Sequence, residues 1–396
     1  MTLSEKLAYQ FPYDVEAKFP AYIWQTWKWT PAHGEFHFRE QEATWTEQHP
    51  SFIHEVITDQ VAVYLIRLLY ASVPEVLEAY DALPLPVLKA DFFRYLILLA
   101  RGGIYSDIDT YALRSALEWI PESVPRETVG LVIGIEADPD RPDWKEWYSR
   151  RIQFCQWTVQ SKPGHPVLRE VVMRITDETL KRKREGSLKN VVDKNVIEFT
   201  GPALWTDIIF EYFNDARFFD MKGSAGAIDW QNFTGMETSK RVGDVVVLPI
   251  TSFSPGVQQM GAGDYDDPMA FVRHDFEGML PSSKSIHVLV WSRLTGRHRH
   301  METRKRAAHR RVTKALMVRH HHDALFYLFL RRRPNISVVI PILQKLHGLG
   351  VLAAAAAGCI HSRLFARWLS LADSNAWRWG AVARRLESVQ KTVVHR

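Results

Sequence analysis

The segment Ala100-Arg-Gly-Gly-Ile-Tyr-Ser-Asp-Ile-Asp-Thr110 joins a long apolar helix to a short strand that ends in an Asp-x-Asp pair. Residues two apart on an extended chain point to the same side, so Asp107 and Asp109 are predicted to project together, about 6–7 Å apart. Like charges placed side by side on a strand repel each other. A divalent cation with oxygen ligands would relieve this repulsion and keep coordination positions for phosphate oxygens. The segment therefore predicts a metal–diphosphate site, as in an enzyme that uses a nucleotide sugar.

The elements around this segment alternate between strands and helices. A proline-preceded, apolar helix is predicted at residues 87–101, and Gly102 and Gly103 end it. Strands are predicted at residues 22–28, 130–136 and 242–248, and further helices at residues 64–80, 166–174 and 202–212. Strands interleaved with helices predict an α/β layered fold.

Charge is distributed unevenly along the 396 residues. Residues 291–396 carry 21 Lys and Arg against 4 Asp and Glu, and nine of the sixteen His, whereas the rest of the chain is acidic. This asymmetry predicts a catalytic domain at residues 1–290 and a basic, His-rich extension at residues 291–396. Polar residues interrupt the apolar run at residues 336–360, so a membrane-spanning helix is not expected there. Two widely spaced cysteines exclude a thiolate metal site.

Three further charged or titratable residues are candidates for the site. Asp91 and Arg94 lie three residues apart on one face of the helix before the Asp-x-Asp pair. In an apolar segment they form either a structural ion pair or a contact to a polar ligand such as the hydroxyls of a donor sugar. His274 is a candidate third metal ligand, with a hydrogen-bonded structural histidine as the alternative.

Several ordered segments, spread over residues 10–278, resemble the glycosyltransferase 32 family of Asp-x-Asp sugar transferases. The early segments are Ile23-Trp-Gln-Thr-Trp-Lys28, Lys89-Ala-Asp-Phe-Phe-Arg94 and the stretch around Asp107 and Asp109. The later segments are Gln153-Phe-Cys-Gln-Trp157, Lys162-Pro-Gly-His-Pro166, Thr200-Gly-Pro-Ala-Leu-Trp-Thr-Asp207 and Ser252-Phe-Ser-Pro-Gly-Val257. As an ordered set these motifs are highly specific.

The resemblance implies a GT-A-type α/β fold with a mainly parallel sheet flanked by helices. It implies a metal-dependent, retaining alpha-1,6-mannosyltransferase that uses GDP-mannose and Mn²⁺ to extend N-linked glycan cores. Asp107 and Asp109 then match the metal–diphosphate motif, and the candidate His274 would complete the metal shell or contact the diphosphate. Asp91 and Arg94 match the donor-sugar contacts, Arg94 also stabilising the leaving GDP, and Gln25 and Trp27 match the part that lines the nucleotide.

The resemblance also implies residence in the Golgi, although no N-terminal membrane anchor is evident in this sequence. Family members carry a His-x-Phe-x-Gly-Ser-Trp-Lys motif whose Ser and Trp help to hold the diphosphate. His274, Phe276 and Gly278 fit this motif, but Met279-Leu280-Pro281 follow. One interpretation is a divergent or mis-spliced C-terminus that lacks part of the diphosphate clamp. The other is a genuine extension that binds anionic lipid, with nucleic acid as the less favoured partner.

Alternative functions follow from the same observations. One is a mannosyltransferase that acts on inositol-phosphoceramide or on other glycans. The other is a catalytically impaired subunit of a mannan-polymerising Golgi complex.

Overall fold

The computed structural model describes residues 1–276 apart from residues 140, 147, 191–192, 220–225 and 258–259. The α-helices in this part are α1 (Leu3–Gln10), α2 (Arg39–Gln48), α3 (Asp59–Leu69), α4 (Pro74–Ala82), α5 (Pro86–Arg101), α6 (Pro166–Arg184), α7 (Asp193–Phe199), α8 (Pro202–Phe213) and α9 (Ile250–Phe253). The strands are β1 (Tyr22–Thr26), β2 (Ile53–Ile57), β3 (Gly103–Ser106), β4 (Thr110–Ala112), β5 (Leu131–Ala137), β6 (Gln153–Phe154), β7 (Thr158–Ser161), β8 (Lys240–Val242), β9 (Val245–Leu248) and β10 (Val272–His274).

Eight of the described strands form one mixed sheet in the order β2-β1-β3-β7-β5-β9-β8, with β6 paired to β5. Strands β2, β1 and β3 are parallel to one another, as are β5 and β9. Strand β7 runs antiparallel between β3 and β5, and β8 runs antiparallel to β9. A separate antiparallel ribbon joins β4 to β10. Parallel neighbours require crossover connections, and helices supply them here.

Both faces of the sheet are covered by hydrophobic side chains. Trp24, Tyr105 and Ile133 lie in the core on the side of α3 to α6 and α8. Their sequence neighbours Ile23, Ile104 and Val132 belong to a second core that includes Trp45 of α2. This alternation is the two-residue period of a strand that is buried on both faces. The predicted α/β class, with a sheet flanked by helices as expected of the GT-A type, is confirmed.

Most predicted elements are present, with three changes. The single helix predicted at residues 64–80 is wrong, because α3 ends at Leu69 and α4 begins at Pro74, whose ring disfavours helical backbone in the residue before it. The predicted strand at residues 242–248 is two strands, β8 and β9, which turn at Gly243 with a φ of 59°. Helix α6 continues ten residues beyond its predicted end at residue 174.

Helix α5 fixes the position of the Asp-x-Asp segment. Pro86 begins the helix, and ten of its residues are buried, so it runs through the core. Gly102 and Gly103 end it with φ values of 62° and 93°. A Cβ atom on Gly103 would lie 2.6 Å from the carbonyl oxygen of Tyr22 in β1, so only glycine permits β3 to pair this closely after the turn.

A partly buried polar cluster lies at the other end of the sheet. Asp244 precedes β9 and lies at the end opposite to Asp107, which follows β3. Its carboxylate accepts hydrogen bonds from the hydroxyls of Tyr13 and Tyr212, the latter at 2.9 Å, and lies 3.4 Å from Nε2 of His165. Although burial opposes the charge, the contacts from His165 and the two tyrosines hold the pKa of Asp244 well below its usual range. The cluster ties the segment around Tyr13 to the sheet.

Asp244→Asn is expected to lower the free energy of unfolding at pH 7 by about 1–3 kcal/mol, because an amide nitrogen cannot accept a hydrogen bond from Tyr13 or Tyr212. Since the folded-state pKa of Asp244 is depressed, its stabilisation is present above about pH 4 and is lost as the pH falls towards the folded-state value. Urea unfolding at pH 7 and pH 3 measures this effect. The parent should lose more stability on acidification than the variant, and equal losses would contradict the assignment.

No helix among the described residues is long and apolar enough to cross a membrane. The predicted extension at residues 291–396 and the departure from the family motif at Met279 and Leu280 lie outside the described residues.

Candidate active site

Asp107 and Asp109 lie in a tight turn between β3 and β4, and not on an extended strand as predicted. Strand β3 ends at Ser106, and both the backbone N–H and the hydroxyl of Thr110 donate hydrogen bonds to the carbonyl oxygen of Asp107, at 3.3 and 2.5 Å. The N–H of Asp107 donates to the carbonyl oxygen of Trp157 at 2.9 Å. These bonds replace the strand ladder, so the two carboxylates are brought together by a turn.

His274 joins the two carboxylates through the β4–β10 ribbon, in which it pairs with Thr110. One ligand atom from each of Asp107, Asp109 and His274 lies within 4.8 Å of the others. Nε2 of His274 is 3.0 Å from Oδ1 of Asp109, and its ring packs against that of Trp157 at a tilt of 41°, with centroids 4.5 Å apart. The side chains of Asp109 and His274 are only 6% and 7% exposed, whereas that of Asp107 is 25% exposed. Two carboxylate oxygens and one imidazole nitrogen suit a divalent cation that also binds phosphate.

The electrostatics of this cluster also favour a cation. Burial opposes the imidazolium charge of His274, but the carboxylates of Asp109 and Asp107 and the hydrogen bond to Asp109 raise the pKa of His274 above its usual value. The same negative charge would attract a divalent cation, which binds the neutral form of the imidazole. The residues present therefore fit a divalent cation.

Arg94 links the cluster to helix α5. Its Nη2 is 2.9 Å from Oδ1 of Asp107, and its Nη1 is 3.1 Å from Oδ1 of Asp91. The side chains of Arg94 and Asp91 are only 6% and 5% exposed. The guanidinium also lies over the ring of Tyr105, 5.1 Å from its centroid. The structural ion pair considered for Asp91 and Arg94 is therefore present, and it extends to Asp107, whose carboxylate it orients.

Asp91 is held by uncharged groups as well as by Arg94. Its Oδ2 accepts a hydrogen bond from the hydroxyl of Thr200 at 2.8 Å, and its Oδ1 accepts one from Nε2 of Gln156 at 3.4 Å. Burial raises the pKa of Asp91 to about 6, because the loss of water outweighs the attraction of Arg94 and the bond from Thr200. Arg94 keeps its charge: burial opposes it, but Asp107 and Asp91 raise its pKa.

The two residues predicted to line the nucleotide differ in position. Gln25 is completely buried, and its amide donates to the carbonyl oxygen of Asp107 at 3.1 Å while its Oε1 lies 2.8 Å from Nε2 of His54. It therefore supports the backbone of the Asp-x-Asp turn. Trp27 is partly exposed and packs edge-on against Phe38, in a small cluster that includes Ile108 of the turn. Nucleotide contacts by Gln25 and Trp27 remain predictions.

One segment of the site, residues 153–157, received no role from the sequence. Gln153 donates to a carboxylate oxygen of Glu136 at 3.1 Å, Gln156 donates to Asp91, and Trp157 contacts both Asp107 and His274. This segment is one of the motifs that carry the family resemblance, and that resemblance is the sequence signal that could have assigned it to the site. Its contacts join strands distant in sequence, so spacing alone could not assign them.

Comparison with known proteins agrees with this geometry. Residues 36–125 match the family described as "Glycosyltransferase sugar-binding region containing DXD motif", a range that holds Asp91, Arg94, Asp107 and Asp109. The chain is 51% identical over 292 residues to the initiation-specific alpha-1,6-mannosyltransferase of Candida albicans, covering 70% of this chain and 76% of that protein. The chain belongs to this glycosyltransferase family.

Other fungal relatives of this glycosyltransferase carry the same name. The Schizosaccharomyces pombe protein is 47% identical over 276 residues, 69% of this chain and 66% of its own length. The Saccharomyces cerevisiae protein is 36% identical over 388 aligned residues, 70% of this chain and 81% of its own length. Among solved structures, the PaToxG glycosyltransferase has a TM-score of 0.34 at 15% identity, over 55% of this chain and 77% of that one. The predicted family and enzyme class are confirmed.

Proposed function

We propose that this glycosyltransferase is a Mn²⁺-dependent, retaining alpha-1,6-mannosyltransferase that transfers mannose from GDP-mannose to N-linked glycan cores. The observation that carries the proposal is the cluster of Asp107, Asp109 and His274, with Arg94 bound to Asp107 behind it. The names of the Candida and Schizosaccharomyces relatives supply the sugar and the linkage. Residence in the Golgi follows from the same resemblance.

The residues of the site are proposed to bind the cation, the donor sugar or the nucleotide. Asp107 and Asp109 would hold the cation beside the diphosphate, and His274 would complete the ligand set. Arg94 fixes the carboxylate of Asp107 and would add positive charge near a bound diphosphate, and Asp91 holds Arg94 in place. We propose that Asp91 and Arg94 bind hydroxyls of the donor sugar, and that the segment around Gln25 and Trp27 binds the nucleotide. The bound cation would supply positive charge to the departing diphosphate.

The transfer is a substitution at C1 of mannose. The acceptor hydroxyl oxygen forms a bond to C1 as the bond between C1 and the phosphate oxygen breaks. The hydroxyl proton passes to an oxygen of the leaving GDP, so no separate base is required. Attack from the face that the phosphate leaves gives an alpha product from an alpha donor. Positive charge aimed at the leaving group lowers the barrier to this step.

A donor and acceptor panel tests this proposal. The full chain is incubated with GDP-mannose, GDP-glucose or UDP-galactose, a high-mannose N-glycan and either Mn²⁺ or EDTA, and products are assigned by NMR. We expect transfer from GDP-mannose only, in the presence of Mn²⁺, and an alpha-1,6 linkage in the product. Transfer that persists in EDTA, or a preference for another donor, would contradict the proposal. Transfer to inositol-phosphoceramide and not to the glycan would favour the lipid-directed alternative.

A further inference from the structure

Glu136 is an anomaly in an otherwise buried strand. In β5, residues Leu131 to Ala137 are all buried except Glu136, which is partly exposed near the end of the strand. It follows Val132 and Gly134, which face Phe253 of α9, and lies where the pairing of β5 with β6 is irregular, between Ile135 and Ala137. An ionisable side chain at the end of a buried strand requires an explanation, because charge is costly in such surroundings.

The carboxylate of Glu136 is held by a buried amide. Nε2 of Gln153 donates to Oε2 of Glu136 at 3.1 Å, and Gln153 as a whole is only 4% exposed. The other end of the same amide, Oε1 of Gln153, is buried and has no hydrogen-bond partner within the described part of the chain. A carboxylate accepts hydrogen bonds at about four lone-pair positions, more than the bond from Gln153 uses.

The pair lies at the same end of the sheet as the Asp-x-Asp turn. The N–H of Cys155 bonds to the carbonyl oxygen of Gly134 at 2.8 Å, and two residues later the carbonyl oxygen of Trp157 binds the N–H of Asp107. The segment from Gln153 to Trp157 thus bridges Glu136 and the site. Glu136 is also one of the carboxylates whose charge raises the pKa of His274.

Glu136 does not belong to the candidate cation cluster, which in the described residues comprises Asp107, Asp109 and His274 alone. A further carboxylate would repel a diphosphate, and the hydroxyls of the donor sugar are already assigned to Asp91 and Arg94. The carboxylate oxygens of Glu136 accept hydrogen bonds from hydroxyl groups, so a neutral polyol is a suitable ligand. The acceptor sugar of the transfer is such a polyol.

We propose that Glu136, positioned by Gln153, binds hydroxyl groups of the acceptor sugar and so forms the acceptor side of the site. This inference rests on the proposed function. Glu136 accepts hydrogen bonds from the acceptor and takes no proton, since the hydroxyl proton passes to the leaving phosphate. Gln153 is a positioning residue, because it acts through Glu136.

Calorimetric titration of a high-mannose N-glycan into the full chain, saturated with Mn²⁺ and GDP, tests the inference without turnover. Glu136→Gln should raise the Kd for the glycan about tenfold or more and leave the Kd for GDP within about twofold. Gln153→Ala, which keeps the carboxylate, should raise the glycan Kd about threefold. Glu78→Gln, an exposed glutamate paired with Lys183 between α4 and α6, is the matched control and should change neither value.

An unchanged glycan Kd in Glu136→Gln would overturn the inference, and so would a loss of GDP affinity, which would place the residue on the donor side. If Glu136→Gln does not fold, an unchanged glycan Kd in Gln153→Ala overturns it. A parent protein that binds Mn²⁺ and GDP but not the glycan overturns this inference and the proposed N-glycan acceptor, and leaves the proposed donor and cation standing. A parent that binds none of the three overturns the proposed function as a whole.

Discussion

Asp107→Asn is expected to reduce mannosyl transfer about a thousandfold, because the amide removes one negative ligand from the proposed cation site and the partner that Arg94 orients. The replacement has nearly the same size as the carboxylate, and the side chain is partly exposed, so the fold should be retained. Steady-state transfer from GDP-mannose, measured across a range of Mn²⁺ concentrations, gives the result. Activity that equals the parent at saturating Mn²⁺ would place the cation elsewhere.

Asp81→Asn is a suitable control for this experiment. Asp81 has a 52% exposed side chain and pairs with Arg67 on the surface. Exposed pairs of this kind contribute about 0–1 kcal/mol, and the residue has no contact with the site. Transfer by this variant should match the parent within about twofold.

Arg94→Met has the second large expected effect. Removal of the guanidinium leaves Asp91 buried without its countercharge, and the free energy of unfolding should fall by about 3–5 kcal/mol. Adding Asp91→Asn to this variant removes the unpaired carboxyl, so the double variant should regain about 1–2 kcal/mol. It should remain inactive, because Asp107 still lacks its partner. Urea unfolding and transfer assays of the single and double variants measure both effects.

Arg174→Met provides the matched comparison for the arginine. Arg174 on α6 also pairs with two carboxylates, Glu170 and Glu211, but its side chain is 36% exposed. Water screens such pairs, so the loss should be about 1 kcal/mol or less. An equal loss in Arg94→Met and Arg174→Met, or strictly additive effects of Asp91→Asn and Arg94→Met, would contradict the buried network described here.

The sequence predicted those parts of the site that depend on local pattern. Apolar residues around the whole of α5, a proline at its start and two glycines at its end gave the helix and its boundary within one residue. The three-residue spacing of Asp91 and Arg94 gave their ion pair. The proximity of Asp107 and Asp109 was predicted correctly, but from an extended strand where the structure has a turn. The hydrogen bonds of Thr110 that close this turn have no sequence pattern.

The rest depends on contacts between segments far apart in the chain. Gln25 reaches Asp107 across 82 positions, and Thr200 reaches Asp91 across 109. Glu136 is one glutamate in an apolar run, and only the pairing of β5 with β6 brings Gln153 beside it. Periodicity describes which face of an element is buried, but it does not give the register between elements that creates these contacts.

Binding of Mn²⁺ to the full chain, followed by EPR of the free ion with and without GDP, tests the cation site most directly. In the presence of GDP the parent should bind one equivalent per chain, and Asp107→Asn and Asp109→Asn should each weaken this binding at least about tenfold. Binding of one equivalent with unchanged affinity in both variants would contradict the assignment of Asp107 and Asp109 to the cation.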